Sequence, residues 1–272
     1  MRLFRILPLA LAVTGLAACQ PDAGPFEAPV VPSAYVRFVN AVADTVPVEL
    51  RFIDKVEGSA WYGQPAFRAI SNYHRVEAGD RKFRIFPTDP VNPVPEISIV
   101  SQIMADVSYN FQADKYYTVA FAGYARAGSN PQATVMVLED SMPAVPAGQI
   151  AVRVINLDPT GPVAVYGSAS GTTPLPATAL FSNVGYGQSS TFANVATGSL
   201  VFRATRAGST TVIAEATAPA GRVAASPSQS NQGGYSIAGS ILTAFVFPAS
   251  VSGSRAASFP SPGVVWMQDN EP

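Results

Sequence analysis

Five short blocks of this chain occur twice in the same order, and that duplication limits the folds open to it more than any other feature. Val36-Arg37-Phe38-Val39-Asn40 returns as Val152-Arg153-Val154-Ile155-Asn156, 116 positions later. Pro47-Val48-Glu49-Leu50 returns as Pro162-Val163-Ala164-Val165. Val76-Glu77-Ala78-Gly79 with Phe83-Arg84 matches Val195-Ala196-Thr197-Gly198 with Phe202-Arg203. Tyr117-Thr118-Val119-Ala120 aligns with Tyr235-Ser236-Ile237-Ala238, and Val135 to Asp140 with Val264 to Asp269. The spacings drift only from 115 to 129 positions, the largest after an inserted run of serine, alanine and proline at 250–262. A period this long marks duplication of a whole domain, because solenoid repeats run roughly 20–50 residues. Two units are expected, 34–143 and 150–272, each long enough for its own core.

Inside each unit the pattern is that of strands. Tyr35 to Val39 alternates, as does Lys82 to Phe86, and the runs 116–121, 134–138 and 199–205 are rich in β-branched and aromatic residues. Gly, Pro, Asn, Asp and Ser clusters interrupt them about every ten residues. The nearest candidate for a helix is Ile99 to Val107. The expectation is all-β: two tandem Ig-like antiparallel β-sandwiches of about seven strands each.

Ahead of the duplicated part, residues 1–18 read as an export signal, with Arg2 and Arg5 before an apolar run that is too short to span a bilayer. The run closes on Leu16-Ala17-Ala18-Cys19, which resembles the bacterial lipobox and makes Cys19 the expected lipidation site. Residues 19–33 include four prolines between Gln20 and Pro32 and read as a semi-rigid tether. Gln20 stands where an aspartate would direct inner-membrane retention in sorting of the enterobacterial kind, so the resemblance implies the outer membrane. The expected location is the bacterial cell envelope, with the membrane as a partner through the N-terminal lipid.

Composition narrows the chemistry. The formal net charge of -1 excludes a sequence-independent nucleic-acid binder. One cysteine and one histidine exclude the usual zinc sites and any internal disulfide. No metal and no cofactor is expected. The string Gly167-Ser168-Ala169-Ser170-Gly171 has alanine where a nucleophile elbow needs serine, and His74 stands beside Arg75 with no catalytic partner in view. Asp44 with Glu49, and Glu139-Asp140, sit at strand ends where solvated carboxylates are ordinary. No catalytic residue is assigned.

The opening Val36 to Ala41, followed by Asp44 and Pro47 to Leu50, resembles the domain-of-unknown-function 4397 family. Val76 to Gly79 and Lys115 to Val119 with Gly123 resemble its later elements, while Thr160 and Ala164 replace the acids at Asp44 and Glu49 in the second unit. The resemblance implies a tandem, exported, lipid-anchored β-sandwich protein without established activity. Two polar features remain as candidate ligand-binding residues. Arg37 and Arg84, recurring as Arg153 and Arg203, would either keep an open sheet face soluble or bind an anion. Trp61, Tyr62 and Tyr73 would either cap the core or stack on a sugar. The expected function is a non-enzymatic envelope protein with binding or architectural modules; the alternative is a surface glycan- or peptidoglycan-binding module using the aromatics of the first unit.

Overall fold

The computed structural model describes residues 31–55, 62–89, 97–226, 228–270 and 272, and within it residues 32–272 form one compact unit. Cys19 and Trp61 lie outside the described residues. The first seven strands are β1 (Ser33–Val42), β2 (Val48–Phe52), β3 (His74–Glu77), β4 (Gly79–Pro87), β5 (Ala105–Phe111), β6 (Tyr116–Gly123) and β7 (Thr134–Asp140). They build one sheet in the order β3-β1-β6-β7 and another in the order β2-β4-β5. Between these sheets sits a core that includes Val36, Phe38, Leu50, Phe83, Ile85 and Phe121.

The remaining strands are β8 (Gln149–Asn156), β9 (Val163–Ser168), β10 (Phe181–Val184), β11 (Ala193–Ala196), β12 (Val201–Arg206), β13 (Val212–Thr217), β14 (Ile241–Phe247) and β15 (Gly263–Gln268). Their sheets run β11-β8-β14-β15 and β10-β9-β12-β13 around a second core. The first order copies β3-β1-β6-β7 strand for strand. The second copies β2-β4-β5 and adds β10, whose place in the first sandwich is held by one bridge between Leu50 and Tyr62. The chain is therefore all-β, built as two sandwiches of one plan.

Three details depart from expectation. The sheets are mixed, since β1 runs parallel to β6 and β8 parallel to β14. The reason is burial: parallel strands are favoured where both faces are covered, and all four strands are buried over nearly their whole length. The fourth repeat block is also misplaced. The counterpart of β6 is β14, with Thr243 at the place of Thr118, whereas Tyr235 to Ala238 lie in the turns that precede β14. Finally, Ile99 to Val107 is not a helix. In that stretch the helix is limited to α1 (Ile97–Val100), and β5 begins at Ala105.

Alternation explains the double burial. In β1, Val36, Phe38 and Val42 point into the first core, while Val39 and Ala41 belong to a third cluster. In β14, Leu242, Ala244 and Val246 serve the second core, and Phe245 and Phe247 the third. This third cluster also holds Ala120 and Ala122 of β6 and Ile155 of β8, so it lies between the two sandwiches. The four sheets stack as four layers, with the two middle ones back to back. The inserted run at 250–262 reinforces the junction. The Val251 amide donates to the Ala43 carbonyl at 2.9 Å, and the Arg68 guanidinium donates to the carbonyls of Pro248 and Ser261 and covers the Phe259 ring at 4.3 Å. Burial lowers the Arg68 pKa to about 10, although Asp158 opposes the shift.

One hydroxyl in this junction is uncompensated. Tyr186 packs against the third cluster, its phenol oxygen is buried without a hydrogen-bond partner, and burial pushes its pKa up to about 12. In the unfolded chain water would bond that hydroxyl, so folding loses an interaction there. Tyr186→Phe is expected to stabilise the protein by about 1 kcal/mol. A thermal melt showing the variant less stable than the parent would refute this.

Candidate functional site

Beside Arg68, four buried charged side chains meet in the junction, and the duplication supplies them in pairs. Arg37 stands on β1 and Arg153 at the matching place on β8; Asp140 ends β7 and Asp269 directly follows β15. All four are buried, with Arg37 wholly inaccessible. Each arginine uses Nε within its own sandwich: Arg37 donates to Thr118 Oγ1 at 2.7 Å and Arg153 to Thr243 Oγ1 at 2.8 Å. Each threonine hydroxyl passes a hydrogen bond to the aspartate of its own sandwich, Thr118 to Asp140 at 2.6 Å and Thr243 to Asp269 at 2.5 Å.

The terminal nitrogens cross over. Arg37 Nη1 donates to Asp269 Oδ1 at 2.5 Å, and Arg153 Nη2 donates to Asp140 Oδ1 at 2.6 Å. Looser ion pairs complete the square, Arg37 Nη2 to Asp140 Oδ2 at 3.6 Å and Arg153 Nη2 to Asp269 Oδ2 at 3.7 Å. The first of these is too long for a hydrogen bond, which leaves Arg37 Nη2 unbonded. This is reciprocal exchange of the kind found at a two-fold interface, achieved here within one chain. Two positive and two negative groups cancel, which is what allows the set to be buried.

Aromatic rings close the clasp. The Arg37 guanidinium lies 4.6 Å from the Tyr73 ring centroid and 5.0 Å from that of Phe245, and the Arg153 guanidinium lies 4.8 Å from Phe192. Tyr73 also donates from its hydroxyl to Asp140 Oδ2 at 2.8 Å. Burial acts to lower the Arg37 pKa, yet the Asp269 carboxylate, with Tyr73 and Asp140 behind it, holds it above the ordinary arginine value. Burial raises the Tyr73 phenol well above its usual range.

The sequence candidates are thus distributed differently from expectation. Arg37 and Arg84 share no face: Arg37 is sealed in the junction, while Arg84 sits on β4 in the other sheet, paired to Asp106 at 2.9 Å. The expectation of a solvent-facing Arg37 is corrected, because the opposite sandwich covers its side of β1. Arg203, the counterpart of Arg84, is buried and donates to the carbonyls of Gly171, Thr173 and Pro174. Tyr62 is buried too, donating to the Val36 carbonyl at 2.6 Å and standing edge-on to His74 at 5.0 Å. Tyr73 is spent on the clasp.

The acids at strand ends also have structural work. Asp44 accepts the amides of Ala125 at 2.6 Å and Arg126 at 3.1 Å, fixing the turn after β6. In the second sandwich Asp158, two positions earlier, accepts the Thr160 amide at 3.0 Å and pairs with Arg206. Among the described residues no group of three or more His, Cys, Asp or Glu side chains could hold a metal ion, and no helix is long and apolar enough to cross a membrane.

Residues 34–166 match the model of a family described as a domain of unknown function (DUF4397). The match supports the family that the opening motif resembles and runs past β7 through β8 into β9. No curated protein matches the chain.

Proposed function

We propose that this is a lipid-anchored protein of the bacterial cell envelope whose paired, non-catalytic sandwiches act as a rigid binding or architectural body, both being copies of the matched domain. The carrying observation is the reciprocal Arg37–Asp269 and Arg153–Asp140 exchange inside a shared apolar junction. Tandem domains joined only by a linker move independently by default, whereas a large, sealed interface fixes their separation. A fixed body suits a spacer or a presenting scaffold.

The anchor follows from the sequence. Cys19 behind Leu16-Ala17-Ala18 would carry acyl chains, each buried methylene adding about 0.8 kcal/mol of membrane affinity. The run from Gln20 to Pro32 would then hold the sandwiches clear of the headgroups, at the outer membrane if the residue after the cysteine sorts as in enterobacteria. Cells fed a clickable fatty acid are expected to label the parent protein and not Cys19→Ala. Equal label in both removes the anchor from the proposal. Tyr62 and Tyr73 are committed to internal contacts, so a glycan site resting on them together with Trp61 is not favoured.

A further inference from the structure

One strand step beyond the clasp the junction changes character. Tyr35 and Tyr116 occupy the positions next to Arg37 and Thr118 on the same face of the sheet, paired in register across the parallel strands. Here lies an open cleft of about 1260 Å3, with these tyrosines on one side and the segments 229–232 and 268–270 of the second sandwich on the other. The two rings stack with centroids 4.6 Å apart and planes 13° from parallel. Tyr73 stands against Tyr116 at 5.1 Å and 84°. The three rings make a flat step with an upright wall.

Several polar groups around that step are uncommitted, although Asn231, Gln268 and Asn270 hold internal hydrogen bonds. Among the described residues, the hydroxyls of Tyr35 and Tyr116 and the side-chain amides of Asn72, Gln229 and Gln232 have no hydrogen-bond partner. Asn72, Gln229 and Gln232 are exposed. Asp269 lies at the base of the cleft, but its carboxylate is already held by Arg37 and Thr243. The cleft therefore presents half-buried rings, hydroxyls, amides and the exposed guanidinium of Arg222, a further donor, and no free carboxylate. Amides both donate and accept, as do sugar hydroxyls, and a tyrosine offers an apolar ring with a polar tip. A few convergent polar groups around an aromatic patch are the usual make-up of a small-molecule site.

We infer that this cleft binds an oligosaccharide, seated against the Tyr35–Tyr116 step and hydrogen-bonded by Asn72 and Gln232. The inference rests on the reading of the sandwiches as a non-catalytic binder and not on the lipid anchor, so fatty-acid labelling at Cys19 is independent of it. It differs from a site built on Tyr62, which does not line the cleft, and it uses only the ring of Tyr73, whose hydroxyl stays on Asp140.

Calorimetric titration of the full chain in detergent, with maltohexaose, cellohexaose and chitohexaose as probes, tests it. At least one probe is expected to bind with a Kd between about 10 μM and 1 mM. Tyr116→Ala is expected to weaken that binding about tenfold or more, while Tyr116→Phe, which keeps the ring, holds it within about threefold. Gln232→Ala, an exposed change that leaves the core untouched, is expected to weaken it about threefold, so the proposal stays testable if Tyr116→Ala folds poorly. No binding of any probe at about 10 mM, or unaltered binding in both Tyr116→Ala and Gln232→Ala, overturns the proposal. Capture of a proline-rich peptide in place of the sugars, with the same dependence on Tyr116, overturns it as well.

Discussion

Asp269→Ala is expected to lower stability by about 3–5 kcal/mol, more than any surface substitution in this chain. Removing this carboxylate leaves Arg37, wholly buried, with Asp140 at 3.6 Å as its remaining counter-charge, and deprives Thr243 of its acceptor. An unpaired buried charge is the costly outcome; the pair itself contributes little net energy after desolvation. The double variant Arg37→Met with Asp269→Leu should therefore recover most of the loss, because it removes both charges and keeps the volume. Urea unfolding of the parent, Arg37→Met, Asp269→Leu and the double variant closes the cycle. A loss below about 1 kcal/mol for Asp269→Ala would mean that water reaches Arg37 and that the junction is not sealed. Added salt should not abolish the difference, since a buried pair is screened far less than an exposed one.

The same residues show how far sequence reasoning reaches. Alternation, turn spacing and the repeated blocks are local signals, and they mark out most strands of both sandwiches, though not β5, β10, β13 or β14, and include the matched Arg37 and Arg153 and the matched Asp140 and Asp269. What they lack is the partner of each face. Period-two alternation places Arg37 opposite Phe38, but it does not say that a second sheet covers the arginine side. A signal was present: β8 reads Ile150-Ala151-Val152-Arg153-Val154-Ile155, apolar on both faces save for the arginine, and strands of that kind are buried on both sides. The alignment of Tyr117 with Tyr235 failed for a related reason. Short apolar strings resemble one another whether they form strands or turns, and the sheet order, with the shared Thr118 and Thr243 hydroxyl contacts, identifies the true counterpart. The Tyr35–Tyr116 step was invisible in sequence because it depends on a parallel pairing of residues far apart in the chain.

Separately produced 32–143 and 149–272 segments are expected to recombine as a one-to-one complex and to pair poorly with themselves. The clasp alone does not impose this preference, since two copies of the first sandwich could still match Arg37 with Asp140 of the other copy. Size does. At equivalent places on β6 and β14, the first sandwich carries Ala120 and Ala122 where the second carries Phe245 and Phe247, and all four lie in the third apolar cluster. Two first sandwiches would face alanine with alanine and leave a void, and two second sandwiches would crowd four phenylalanines into the space of two. Voids and overpacking each cost about 1–5 kcal/mol, which separates the mixed pair from either self-pair by about fivefold at the least and by more than a thousandfold at the most. Sedimentation of each segment alone and of their mixture measures the outcome. Ala120→Phe in the first segment is expected to abolish recombination while leaving its own core, on the opposite face of β6, intact. A tight homodimer of either segment, stronger than the mixed complex, would show that the small-against-large fit does not specify the pairing.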